Sequence, residues 1–165
     1  MSIVADASPL RYLVLIEEVE LVPAIFGSVY VPPAVLNELS QPQTPETVKS
    51  WVRARPAWLH VQAPSKAPPD FPPVLGAGER EAISLAAEFH AGFLLIDDWA
   101  GRREAERRGL TVQGTLGILR FASRHGLTSL PDALSRLRET NFRANDELIQ
   151  SLIQEEAERK EKTST

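Results

Sequence analysis

The chain has 165 residues, 43% of them hydrophobic, which suits one compact domain with a buried core. It holds no cysteine, so a disulfide framework, a thiolate metal site and a catalytic thiol are all excluded. A formal net charge of -4 argues against a protein that holds nucleic acid through bulk positive charge.

In chain order, the apolar run SIVA predicts a first strand stopped by Asp6. Ser8 and Pro9 then read as a helix entry, with the helix expected from about Leu10 to Val19. GSVYVPP predicts a second strand closed by Pro32 and Pro33, and PAVLNELS a short helix that Pro33 can start. TPETVKSWVRA reads as a helix with Thr44 and Pro45 at its entry, and WLHVQA as a weak strand. The proline-rich stretch from Ala63 to Val74, with Pro64, Pro68, Pro69, Pro72 and Pro73, predicts an extended surface connection. An amphipathic helix opened by Gly78 and ended near Gly92 follows, then the strand FLLI and the charged helix AGRREAERRG. LTVQG predicts the last strand, TLGILRFASRHG another helix, and Asn145 caps a final helix expected to fray into KEKTST.

Strands alternating with helices predict βαβ units, hence an α/β fold with a mainly parallel sheet covered on both faces. The expected organisation is a single domain over residues 1–158, C-terminal helices included, with 159–165 as a flexible polar tail. The opening MSIVADASPL is interrupted too early by Asp6 for a signal peptide, and no apolar run approaches the ~20 residues of a membrane span. The expectation is a soluble, cytoplasmic protein with no membrane attachment.

Ligands of open parallel sheets sit beyond the carboxyl ends of the strands. Asp6 ends the first predicted strand, and Asp97 with Asp98 ends the fourth, so these acids should open onto one edge. Glu38 lies in the short helix after the second strand, and Glu79 opens the helix GEREAISLA. Each has a plainer reading alone: Asp6 as a helix cap, Glu38 as surface, Glu79 as a favourable charge at a helix N-terminus. Together, carboxylates converging on one edge have the chemistry of a hard-cation site, since Mg²⁺ and Mn²⁺ prefer oxygen ligands. His60, His90 and His125 show no zinc-ligand spacing. Arg102, Arg103, Arg107 and Arg108, interleaved with Glu104 and Glu106, form either a solvated helix face or a cationic patch.

The segments VADASPLRYL, FGSVYVPPAVLNEL, LGAGEREAISLAAEF, LLIDDWAGRREAERRGL and VQGTLGIL, in this order and spacing, resemble the PIN-domain superfamily. More narrowly they resemble its prokaryotic branch close to the VapC-type toxins, over about Ile3 to Leu130. The resemblance implies a Rossmann-like α/β/α sandwich, often dimeric, that holds Mg²⁺ or Mn²⁺ in an acidic cluster. It implies cleavage of single-stranded RNA at a phosphodiester, and a toxin held in check by a cognate antitoxin protein. Carried onto this chain, the first acid is Asp6, the second Glu38, the third Glu79, and the last comes from Asp97 and Asp98. Glu81 competes with Glu79, because two residues move a side chain about 200° round a helix; Glu79, beside Gly78, is preferred. Asp98 matches the usual spacing more closely than Asp97, but both stay open. Adjacent side chains at a strand end point to opposite faces, so one acid can reach a metal while the other orients a water or an arginine. Ser8 resembles a small hydroxyl near the first acid, and Thr115 one at the site's edge or a cap of the following helix. Arg102 either steers the RNA backbone or pairs with Asp98.

Rival folds fit less well. A receiver domain would place its acidic pair after the first strand and a lysine after the last, whereas no lysine stands between Lys66 and Lys160. A haloacid-dehalogenase-type phosphatase would need D-x-D where DAS stands, and no G-x-G-x-x-G follows a strand. The alternative that keeps the fold is a non-catalytic PIN-like binding or assembly module.

Overall fold

The computed structural model describes residues 1–66 and 70–164, and falls into two compact units, Met1–Thr115 and Leu116–Thr165. The first unit is built on a parallel sheet of five strands: β1 (Ile3–Ala5), β2 (Val29–Val31), β3 (Leu59–Val61), β4 (Phe93–Leu95) and β5 (Val112–Gln113). Their order is β3-β2-β1-β4-β5, with every neighbouring pair parallel. The α/β fold expected from the alternation of elements is therefore observed.

The fully apolar β1 sits at the centre, and all three of its residues are buried. It pairs with β4 in the register Ile3 to Phe93 and Ala5 to Leu95. The Asp6 amide continues that ladder to the Leu95 carbonyl at 2.8 Å, and the Ile96 amide reaches Gln113 at 2.9 Å. From β1 the chain builds the sheet outward through β2 and β3, then returns to lay β4 on the other side. The gap beyond β1 and β4 is thus the switch point where parallel sheets take their ligands. Asp6 and Asp97 flank it.

The helices of this unit are α1 (Ala7–Leu15), α2 (Leu21–Phe26), α3 (Pro33–Glu38), α4 (Glu46–Ala54), α5 (Ala77–Phe89) and α6 (Trp99–Arg107). Helix α1 starts three residues earlier than expected. Asp6, extended at φ -83°, takes the cap position directly at the strand's end. Pro9 then falls in the first turn, where a backbone amide has no helical partner to lose. The helix stops at Leu15, with Glu17 at φ 61°, and the sequence reading missed the separate α2 that follows. Helix α4 begins after Pro45, and the Thr44 hydroxyl donates to the Glu38 carbonyl instead of capping it. Helix α5 opens after Gly76, two residues before Gly78, and closes on His90 in the left-handed region. Of the proline-rich connection, Pro68 and Pro69 lie outside the described residues.

Helix α7 (Thr115–Arg124) starts on the last residue of the first unit; the second unit holds the rest of it with α8 (Leu130–Arg138) and α9 (Asp146–Ser164). Asn145 caps α9 through its side-chain oxygen and the Glu147 amide, 2.7 Å, as expected. Buried Glu156 of α9 accepts from Ser123 and pairs with Arg159. The helix runs on through Ser164, so the stretch 159–164 expected as a polar tail is helical, while Thr165 lies outside the described residues. Among the described residues, no helix is long and apolar enough to cross a membrane.

Candidate active site at the carboxyl edge of the sheet

Asp6 leaves β1 into the switch point with only 3% of its surface exposed. Its Oδ1 is buried and has no hydrogen-bond partner among the described residues. Burial, then the charge of Glu79, then those of Glu38 and Asp97, hold its carboxyl well above the usual aspartate range, against a pull from the Ala7 amide. An acid under that load is poised to take up either a proton or a cation.

Glu38 closes α3, and its Oε1 accepts the Gly78 amide at 3.1 Å. That contact explains the glycine: a Cβ at position 78 would stand 2.2 Å from Glu38 Oε1. Only a bare backbone lets the first turn of α5 come this close to the end of α3. Burial first, then the charge of Glu79, raise the Glu38 carboxyl. Glu79 folds back over the mouth of α5, where its Oε2 lies 2.8 Å from a Cβ built on Gly76. Glu81, its competitor, is used elsewhere: its Oε2 accepts the Ala34 amide at 2.9 Å and ties α5 to the start of α3.

The two adjacent aspartates part company. Asp97 receives the Thr115 amide at Oδ1 and the Thr115 hydroxyl at Oδ2, both at 2.7 Å. Burial raises its carboxyl, opposed by those two bonds and by the charge of Arg102. Gly114 makes room for this group, since a Cβ there would stand 2.5 Å from Arg102 Nη1 and 2.9 Å from Asp97 Oδ1. Asp98 is exposed and caps α6, accepting the Gly101 amide at Oδ2, 2.8 Å.

Arg102 therefore does not pair with Asp98. Its Nη1 donates to the Ile96 carbonyl at 3.2 Å, and its charge acts on Asp97. Thr115 spends its hydroxyl on Asp97 and not on capping α7. Ser8, in the first turn of α1, is half-buried, and its hydroxyl has no partner among the described residues.

Asp6, Glu38, Glu79 and Asp97 thus form one electrostatic group, with Asp98 beside it at the helix cap and Glu81 outside it. All donors are oxygens, the set a hard divalent ion prefers. As the side chains stand, no three acidic or histidine residues among those described are gathered closely enough to clasp one ion. The buried, partnerless Asp6 oxygen is the atom that fits such an ion best.

The sequence reading passed over Trp99 and Arg103 individually. Trp99 opens α6 with 69% of its surface exposed, and the Arg103 guanidinium lies 4.8 Å from its ring centre. Their spacing of four residues on one helix was the available signal.

No curated protein matches this chain. Among solved structures, it is similar to a PilT N-terminus domain protein from the hyperthermophilic archaeon Sulfolobus solfataricus P2, at 16% identity and a TM-score of 0.52. That match covers 88% of this chain and all of the other. A family model described as a PIN domain matches residues 2–158. The chain therefore belongs to the PIN-domain family of nuclease-type modules.

Proposed function

We propose that this chain is a metal-dependent ribonuclease that hydrolyses phosphodiester bonds of single-stranded RNA, and that it is a VapC-like toxin of a type II toxin-antitoxin pair acting in the cytoplasm. The observation that carries the reading is Asp6, buried with a partnerless oxygen and surrounded by the charges of Glu79, Glu38 and Asp97. Asp6, Glu79 and the Asp97-Asp98 pair would hold Mg²⁺ or Mn²⁺, with Glu38 completing the acidic wall. Such an ion supplies Lewis acidity toward the phosphate and a water of lowered pKa for in-line attack.

The protein's own contribution is positioning. Thr115 clamps both oxygens of Asp97 in one orientation, as a partner behind a metal ligand does. Glu38, pinned to the Gly78 amide, keeps α3 and α5 at a fixed distance, so that Glu79 stays beside Asp6. Arg102, held on the Ile96 carbonyl, keeps a positive charge at the edge where an RNA backbone would pass. Ser8 is a hydroxyl within the turn that follows Asp6. Phe121, Leu127 and Leu148 of the second unit are exposed apolar side chains that a second copy or an antitoxin would cover.

The purified protein should cut single-stranded RNA with Mn²⁺ or Mg²⁺ and stop with a chelator or with Asp6→Asn. Cleavage that survives Asp6→Asn would expose a contaminating nuclease. A non-catalytic PIN-like module is the second reading, favoured by the lack of three ready-gathered ligands among the described residues. Calorimetry with Mn²⁺ separates the two, because that module would neither bind the ion nor cut RNA.

A further inference from the structure

Helix α6, which Asp98 caps, presents a second feature. A cleft of about 440 Å³ is bounded by Pro72 and Val74 on one side and by Trp99, Arg103 and Arg107 of α6 on the other. Val74 and Trp99 are 74% and 69% exposed, so two large apolar side chains face water across one cleft. Trp99 directly follows Asp98, and Val74 stands five residues before Glu79, so short lengths of chain join both walls to the acidic group.

The charges around the cleft also have a direction. Glu104 is buried and shared by Arg107 and Arg108, two cations on one carboxylate. Arg103 makes no ion pair among the described residues and lies over the Trp99 ring. Glu106 is the other acid at the cleft, so Arg103 and Arg107 stand against Glu104 and Glu106, and of the two arginines only Arg107 is held in an ion pair among the described residues. The surface therefore offers an aromatic face backed by a guanidinium that is not spent on an ion pair among the described residues. A nucleotide, with its flat base and single negative phosphate, matches that pair of features; an acidic or purely apolar ligand matches only one of them.

We propose that Trp99 and Arg103 form a nucleotide subsite of the substrate strand, in which one base stacks on Trp99 and its phosphate meets Arg103. The inference rests on the ribonuclease reading for its ligand. Base stacking on an aromatic ring is sequence-tolerant and only weakly dependent on salt, whereas a phosphate contact carries the salt dependence. The two residues therefore have separable signatures.

The test uses the full chain carrying Asp6→Asn, without divalent ions, and a fluorescein-labelled single-stranded oligoadenylate beside an abasic strand of equal length. Trp99→Ala should weaken binding of the oligoadenylate by about 5- to 100-fold, leave the abasic strand unaffected, and keep the same salt slope. Trp99→Phe should restore most of the loss. Arg103→Gln should instead lower the salt slope by about 0.7. Binding should also quench tryptophan emission, and the quench should vanish in Trp99→Phe, because Trp51 and Trp58 lie against each other, 5.8 Å apart, away from the cleft. Equal oligoadenylate affinity in Trp99→Ala and its parent overturns the subsite. Cleavage assays on the unsubstituted chain judge the ribonuclease reading separately: a protein that cuts RNA but ignores Trp99→Ala loses only the subsite. A protein that binds through Trp99 without cutting loses only the catalytic claim. Absence of any oligonucleotide binding overturns the subsite and leaves the ribonuclease reading to the cleavage assay.

Discussion

Asp6 and Glu104 are two buried carboxylates of the first unit, 3% and 5% exposed, and they meet opposite fates. Glu104 takes bonds from Arg107 and Arg108, which pull its carboxyl down to about 2. Asp6 has an orphaned oxygen and three acidic neighbours, and it is pushed up. Burial alone therefore does not decide how a carboxylate behaves; its partners do. At Glu104, which supports the fold, this chain supplies two cations. At the switch point of the sheet it supplies more acids, which is the arrangement expected where the missing partner comes from solution.

The strongest way to break this contrast is Asp6→Asn. On the ribonuclease reading it should reduce metal-dependent RNA cleavage by about 100-fold or more. In metal-free buffer it should raise the melting temperature, since it removes a repelled buried charge. A lower melting temperature would mean that the Asp6 charge is satisfied by something other than an ion. Thr115→Val removes one of the two bonds on Asp97 and keeps the amide bond. Cleavage should fall by about 10- to 100-fold with the melting temperature little changed, and an unaltered rate would take Asp97 out of the site.

Glu104→Gln should act in the opposite sense to Asp6→Asn and lower the melting temperature by a few degrees, because Arg107 and Arg108 lose their shared partner. The smallest effect, and the sharpest for the comparison, is on pH. Asp6, raised in the folded state, favours folding most below the ordinary aspartate value of 3.8, and that contribution is lost as pH rises through its folded pKa. Glu104, depressed in the folded state, favours folding above the ordinary glutamate value of 4.5 and loses that contribution as pH falls toward about 2. Metal-free melting curves of Asp6→Asn should therefore converge with the parent at low pH and diverge as pH rises. Those of Glu104→Gln should diverge from the parent near neutrality and converge as pH falls. Parallel shifts at every pH would refute both assignments.

Much of this arrangement is legible in the sequence. The apolar runs SIVA and FLLI predicted strands, and they form β1 and β4 with acids at their carboxyl ends. The helix boundaries were harder, because Asp6 could cap α1 only if the strand ended against it, and Pro9 pointed equally well to a later start. The choice between Glu79 and Glu81 depended on which side of α5 meets α3. Glu81 reaches Ala34 across 47 residues of chain, a contact that no local pattern encodes.

The sequence by itself determined the fold class, since the alternation of elements is a local property that periodicity reports, and it offered candidate acids by their residue type at strand and helix ends. The assignment of the acids to different duties came only from the tertiary structure. Asp97 and Asp98 are chemically identical neighbours, yet one is clamped by Thr115 from 18 residues away and the other caps its own helix. Which partner a carboxylate meets is a matter of distance in space, and the parallel crossovers that bring β5 beside β4 set that distance.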